Sequence, residues 1–344
     1  MTDSVQSKLI ISSATEADIL PEEVLGDAEA GAEFELRQVM VPVGSHGERL
    51  DRALAGIVPE FSRSYLQQLI EAAAVKINGA TITKVSSKVK AGDDLQIELK
   101  PTPQSQAFKP EAMELEIVFE DEHLLVVNKP AGLVVHPAPG NWSGTLLNGL
   151  LARDPQASLL PRAGIVHRLD KDTSGLMVVA RRRQVMDQLV AMIAERTVSR
   201  EYLAVAHNAW QGSAARQVEA PVGRDPRNRL RMAVVDLEKN AGKTASTGIF
   251  RLGSEGDFCL VRCKLQTGRT HQIRVHMASI GHPLVADEVY GGRPAAGLTR
   301  QALHACRLAF EHPVTQEALE FKSPLPADLA AAVESLGLGY NQGQ

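Results

Sequence analysis

Apolar residues recur at Leu50, Ala53, Leu54 and Ile57 and stop before Pro59, the spacing of one helix face. Ser62 then stands where a cap is needed for a second helix, whose Leu66, Leu69 and Ile70 share a side. Val75 and Ile77, the hairpin signal Asn78-Gly79, the turn Ala91-Gly92-Asp93-Asp94 and the alternation Leu95, Ile97, Leu99 add a small sheet. Residues 101–112 carry three prolines and no period, a linker composition. Beyond residue 115, strand-like runs at 124–128, 176–180, 202–206 and 259–265 alternate with helical ones, the clearest at 185–193. No repeat of 20 to 50 residues is present, which disfavours a solenoid or propeller. The pattern predicts an α+β protein with a tail at residues 1–36, a two-helix-plus-sheet module at 37–100, a linker at 101–114, a larger domain at 115–335 and a tail at 336–344.

With 344 residues, 44% of them hydrophobic, the chain can bury more than one core. Cys259, Cys263 and Cys306 are too few for a disulfide framework or a four-cysteine zinc site and point to a reducing compartment. The first residues lack a basic segment followed by an apolar one, and no apolar run reaches the roughly 18 residues that span a bilayer, so a cytoplasmic protein without a membrane partner is expected. The net charge of −4 fits nucleic acid poorly, but residues 1–40 hold nine acidic side chains against Lys8 and Arg37. That head accounts for −7 and leaves the rest at +3. With little apolar content, the head reads as a disordered, solubilising tail.

The densest chemistry lies in the string from Gly164 to Leu176, where His167, Arg168, Asp170, Lys171 and Asp172 fall between two apolar runs. On spacing alone, these carboxylates could equally satisfy turn amides. A calcium loop fails because Arg181 stands where a bidentate glutamate is required. An aspartyl-phosphate chemistry is weakened by Arg168, which sits at what should be the apolar end of a strand. In a second string, from Thr267 to Met277, Thr270 is expected to cap a helix bearing Ile273, Met277 and Ile280, with Arg269 at the preceding turn. His271 and His276 point to different helix faces, so zinc is not expected. Ala241-Gly242-Lys243-Thr244 lacks the earlier glycine of a phosphate loop, having Leu237 there. Arg224, Arg227, Arg229 and Arg231 suit phosphate contacts, or simply a solvated face.

The string GIVHRLDKDTSGLMVVA at 164–180 resembles the catalytic motif of the RluA-type pseudouridine synthases. Further segments match that family in order: DEHLLVVNKPAGLVVHP at 121–137, Arg200-Glu201-Tyr202, TGRTHQIRVHMASIGHPLVADEVYGG at 267–292 and RQALHACRLAFEHP at 300–313. Residues 48–100, with RLDRAL and SRSYLQQLI, are similar to an RNA-binding module first described in a ribosomal small-subunit protein. Ala73 departs from that module's pattern, which commonly has glycine before its first strand. The resemblance implies a catalytic domain on a mixed, mostly antiparallel sheet with flanking helices. It also implies an enzyme that isomerises uridines in large-subunit (23S) ribosomal RNA with neither cofactor nor metal. Asp170 corresponds to the essential aspartate, Tyr202 to the active-site tyrosine, Arg269 to the basic partner of the aspartate and Arg168 to the arginine that fills the gap left by a flipped base.

Isomerisation breaks N1–C1′ and remakes the bond at C5. An ionised Asp170 can assist by attacking C1′, by adding to C6 or through a glycal intermediate. A neighbouring arginine favours the ionised carboxylate, the role expected of Arg269. Arg63, Lys76, Lys84, Lys88 and Lys90 of the module, with Arg224, Arg231, His271 and Arg274, are expected to hold RNA. The expected partner is structured, stem-loop ribosomal RNA, free or in pre-ribosomal particles, and the expected state is a monomer. Alternatives are a family member acting on other ribosomal RNA uridines or on tRNA, and a non-catalytic RNA-binding assembly factor.

Overall fold

The computed structural model describes residues 35–59, 61–99, 107–138 and 140–340. Nearly all of the acidic head, residue 100 at the end of the module, residues 101–106 of the linker and residues 341–344 lie outside the described residues. The chain forms two compact units, divided after Pro101.

In the first unit, β1 (Glu35–Met40) is followed by α1 (Leu50–Ile57), α2 (Arg63–Glu71), β2 (Val75–Ile77), β3 (Ala80–Ile82) and β4 (Asp94–Leu99). The strands pair antiparallel in the order β1-β4-β2-β3. Ser62 caps α2, its hydroxyl accepting from the Tyr65 N–H. Leu50, Leu54, Leu66 and Ile70 from the helices close on Val75, Leu95 and Ile97 from the sheet. Helix α2 ends with Ala73 in the left-handed region at φ 59°. There the Ala73 N–H donates to the Ile70 carbonyl and that of Ala74 to Leu69, the pair of bonds that closes a helix end around a glycine-type conformation.

The second unit opens with β5 (Glu116–Glu120), β6 (Leu124–Lys129), α3 (Leu146–Arg153), β7 (Ser174–Ala180), α4 (Arg183–Ala194) and β8 (Ser199–His207). There follow β9 (Ala215–Glu219), β10 (Val222–Arg224), β11 (Met232–Val234), β12 (Gly242–Lys243), β13 (Ser246–Glu255), β14 (Phe258–Leu265), α5 (Gln272–Ser279), β15 (Leu303–Glu311), β16 (Ala318–Lys322) and α6 (Ala327–Ser335). Strands β10, β11 and β12 form a small separate sheet. The main sheet runs β5-β6-β7-β15-β8-β14-β13-β9, with β16 beside β15. Among the described residues only β7 and β15 pair parallel, so the sheet is mixed and mostly antiparallel.

Strands β6 and β7 are covered on both faces, which explains their unbroken apolar runs. Leu125, Val127, Met177 and Val179 pack with Leu146, Leu147 and Leu150 of α3, whereas Leu124, Val126, Leu176 and Val178 pack with Val185 and Leu189 of α4. Gly175 lets β15 approach the start of β7, because a Cβ there would lie 2.3 Å from the Ala305 carbonyl oxygen. Strand β8 puts Tyr202, Ala204 and Ala206 on one face, while Glu201 on the other pairs with Arg307 at 3.0 Å. Residues following α6 also pack: Leu338 is buried with Leu329 and Val333.

Candidate active site

Asp170 lies in a cleft of about 860 Å³ within the second unit, lined also by Arg168, Arg200, Tyr202, Gly268, His271 and Arg274. Its loop leaves the core at the buried Leu169 and enters β7 at Ser174. Three points pin it. The Lys171 carbonyl accepts from Lys129 Nζ at 2.9 Å and from the Gly132 N–H at 2.9 Å, the Asp172 carbonyl accepts from Arg300 Nη1 at 2.9 Å, and Thr173 accepts from Gln301 at 3.3 Å. Lys129 is wholly buried, and its ammonium also donates to the carbonyls of Pro130 and Leu133, each at 2.8 Å. Burial pulls the Lys129 pKa down to about 7, against the nearby Asp172 and Asp170, which raise it. Arg300 in turn holds Asp328 of α6 through Nε and Nη2, at 2.7 and 2.9 Å.

The Asp170 carboxylate is held by Arg274, whose Nη1 lies 3.0 Å from Oδ2. The rest of that guanidinium forks onto the buried Asp287, with Nε at 2.7 Å and Nη2 at 2.8 Å, and lies over the Tyr290 ring at 5.0 Å. Burial works against the Arg274 charge, but the two carboxylates outweigh it and hold its pKa above the usual arginine value. His271 Nε2 is 3.8 Å from Asp170, and its Nδ1 is 2.8 Å from the Tyr290 hydroxyl. Burial lowers the His271 pKa and favours neutral imidazole, although Asp170 pulls the other way.

These positions correct the expected pairing. Arg269 does not hold Asp170: its Nε donates to the Thr244 carbonyl at 3.1 Å, and its N–H donates to Gln272 at 3.0 Å. The reason is local geometry. His271, not Thr270, is the residue before helix α5, in a left-handed conformation at φ 56°, and the helix turns Arg274 toward the aspartate. Gln272 fixes this entry by donating to the Ser246 carbonyl and the Thr247 hydroxyl.

Tyr202 projects from β8 into the cleft with 5% exposure. Burial, reinforced by Asp170 and opposed by Arg200, pushes its phenol up to about 12, so the hydroxyl keeps its proton at neutral pH. Arg168 is exposed at the cleft rim. Arg224 and Arg231 lie at the β10–β11 hairpin, where Arg231 pairs with Asp225 at 2.7 Å and Arg224 donates to the Arg229 carbonyl.

In the first unit, Lys84, Lys88 and Lys90 are exposed and Lys76 is half-buried. Arg63 clasps the buried Asp51 at 2.7 Å, together with Arg49 at 3.0 Å and Gln67 at 2.8 Å, and remains about half exposed (51%). Sequence reasoning missed Lys129, Arg200, Asp287, Tyr290 and Arg300. A signal existed for Lys129 and Asp287, since a charge adjoining an apolar run must find a partner if it is buried.

The family described as RNA pseudouridylate synthase matches residues 123–279, and the S4 domain matches residues 48–95. The ribosomal large subunit pseudouridine synthase D of Neisseria meningitidis serogroup B is 48% identical over 300 residues, covering 84% of this chain and 79% of that protein. The protein of the same name from Nitrosomonas europaea is 46% identical over 307 residues, covering 87% of each. Among solved structures, human RNA pseudouridylate synthase domain containing 1 aligns with a TM-score of 0.51 at 29% identity, covering 65% of this chain and 90% of that one.

Proposed function

We propose a substrate and a chemistry from one premise: this chain belongs to the RNA pseudouridine synthase family. It isomerises uridine to pseudouridine in large-subunit ribosomal RNA, the substrate named for relatives that are 46–48% identical over most of the chain. Residues 37–100 serve as the RNA-binding module and residues 115–335 as the catalytic domain. The observation that carries the chemistry is the Asp170 carboxylate, held in an open cleft by Arg274 on a loop braced at three successive residues.

The target uridine must leave its stack, at a cost of roughly a few kcal/mol, and Arg168 at the rim can fill the gap it leaves. Asp170 then meets the ribose or the pyrimidine as an anion. The Arg274 bridge answers its charge after RNA has excluded water, and Asp287 keeps that bridge aimed. Tyr202 offers its ring for stacking on uracil and, being protonated, acts through its hydroxyl as a donor. The exposed lysines of the S4 domain hold phosphates and position the RNA. The protein acts as a cytoplasmic monomer on structured ribosomal RNA or a pre-ribosomal particle, without metal or cofactor.

Pseudouridine mapping of ribosomal RNA and tRNA from cells lacking the protein tests this reading. Large-subunit positions should lose the modification and regain it with wild type but not with Asp170→Asn. Unchanged maps would overturn it, and loss confined to tRNA would overturn the ribosomal target.

A further inference from the structure

Arg200 carries a charge that no carboxylate among the described residues answers. It stands two residues before Tyr202 on β8, so both side chains belong to the same face of the sheet and line the same cleft. Its exposure is 6%, its Nε has no hydrogen-bond partner, and no carboxylate among the described residues pairs with it. Arg274, Arg300 and Arg307 by contrast are all matched by carboxylates. A guanidinium cannot shed its proton, and a buried, unpaired cation destabilises the fold that holds it. The Thr267-Gly268 turn makes room for this one, since a Cβ on Gly268 would lie 2.8 Å from Arg200 Nη1.

The depth of Arg200 selects what it meets. Phosphates are hydrated and stay at the mouth, where Arg168 is exposed, whereas the wall beside Tyr202 is reached by the extruded base. Uracil presents two carbonyl oxygens, and a planar guanidinium suits such acceptors. We propose that Arg200 binds uracil, donating to a carbonyl oxygen of the extruded base and stabilising the negative charge that collects there during isomerisation. This rests on the reading of the cleft as a pseudouridine synthase site.

All three routes open to Asp170 place charge on O4, and the two that release the uracil anion place it on O2 as well. When C1′ is attacked, the C1′–N1 pair leaves on uracil and spreads over O2 and O4. When the 2′ proton is lost to give a glycal, the same anion departs. When the carboxylate adds to C6, the C5–C6 pair moves toward O4. The ring then turns and C5 bonds C1′: the carboxylate leaves C1′ in the first route, C2′ takes its proton back in the second, and in the third N1–C1′ breaks and the carboxylate leaves C6 to restore the C5–C6 double bond. The C5 proton is released to water and N1 takes one up, so nothing is gained or lost overall.

The test uses full-length protein and ribosomal RNA fragments carrying uridine, 2-thiouridine or 4-thiouridine at a target position, because sulfur is the weaker acceptor. Arg200→Gln should slow single-turnover conversion of uridine about 100- to 1,000-fold, as loss of an oxyanion donor does. Its RNA Kd should change by less than about threefold, and its melting temperature should equal or exceed that of wild type, because an unpaired buried charge has been removed. Sulfur at one of the two positions should slow the wild type but not further slow Arg200→Gln. Gly268→Ala, which displaces the guanidinium, should shrink the same penalty. Arg200→Gln turning over within about threefold of wild type, or sulfur penalties equal in both proteins at both positions, would overturn the assignment. A wild type that makes no pseudouridine would instead sink the reading of the cleft, and this inference with it.

Discussion

Arg274 reaches Asp170 at 3.0 Å from one nitrogen while its other two nitrogens grip Asp287 at 2.7 and 2.8 Å. The arginine is therefore aimed by a second carboxylate that is itself wholly buried. Arg274→Gln should lower turnover at saturating RNA by about 100-fold or more while RNA affinity changes little, in line with the loss of a preorganised charge at a reacting group. Arg269→Ala, which frees only a backbone carbonyl, should cost less than about tenfold. Single-turnover pseudouridine formation by mass spectrometry decides between them, and the reverse ranking would contradict the pairing described above.

Lys129 spends its three protons on three backbone carbonyls, one of them in the aspartate loop. Lys129→Met keeps the apolar stem and leaves the Pro130 and Leu133 carbonyls unanswered, each buried unpaired acceptor costing about 1–3 kcal/mol, while the Lys171 carbonyl keeps only the Gly132 N–H. Faster hydrogen exchange at the Gly132 and Thr173 amides should accompany a drop in turnover. Native-like exchange with normal turnover would show that the loop does not need this brace.

Asp51 offers a pH test in the first unit. Burial disfavours its charge, but hydrogen bonds from Arg49, Gln67 and Arg63 outweigh burial and hold its pKa well below the usual carboxylate value. A carboxylate whose folded pKa is depressed stabilises the fold above its unfolded pKa of about 3.9 and loses that contribution as acid approaches the folded value. Amides of β4 should therefore lose protection as pH falls below about 4 in wild type, and Asp51→Asn should be less stable at pH 7 and flatter with acid. Parallel pH profiles for the two proteins would refute the linkage.

Ala73 occupies a left-handed turn that glycine adopts freely. Ala73→Gly should stabilise the first unit by about 0.5–1 kcal/mol, because relief of the Cβ conflict, about 1–2 kcal/mol, exceeds the added unfolded-state entropy. Chemical denaturation followed by exchange at β2 amides measures this. Destabilisation would mean that the alanine methyl makes a compensating contact.

The paired helices, the Asn78-Gly79 hairpin and strands β6, β7, β8 and β14 were legible in the sequence because apolar period and turn chemistry act locally. The position of Asp170 between two apolar runs was equally plain. The partner of Asp170 was not, because it depends on where α5 begins. That start is set by the left-handed His271 and by Gln272 bonding Ser246 and Thr247, contacts made across the fold. A single-residue change in the start of a helix rotates every side chain by about 100°. The clue lay in Arg274 itself, flanked by the apolar Ile273 and Val275, where a buried guanidinium is stabilised by a carboxylate.

Strand β8 alternates Arg200 and Tyr202, toward the cleft, with Glu201, matched to Arg307 on the reverse side. Slippage of this strand by a single position would turn a carboxylate toward an incoming polyanion and take Arg200 and Tyr202 out of the cleft. Correct threading of the central ladder is thus a precondition for admitting RNA at all, in a ladder whose β8–β15 pairing already takes one irregular step, between Ala305 and Arg307.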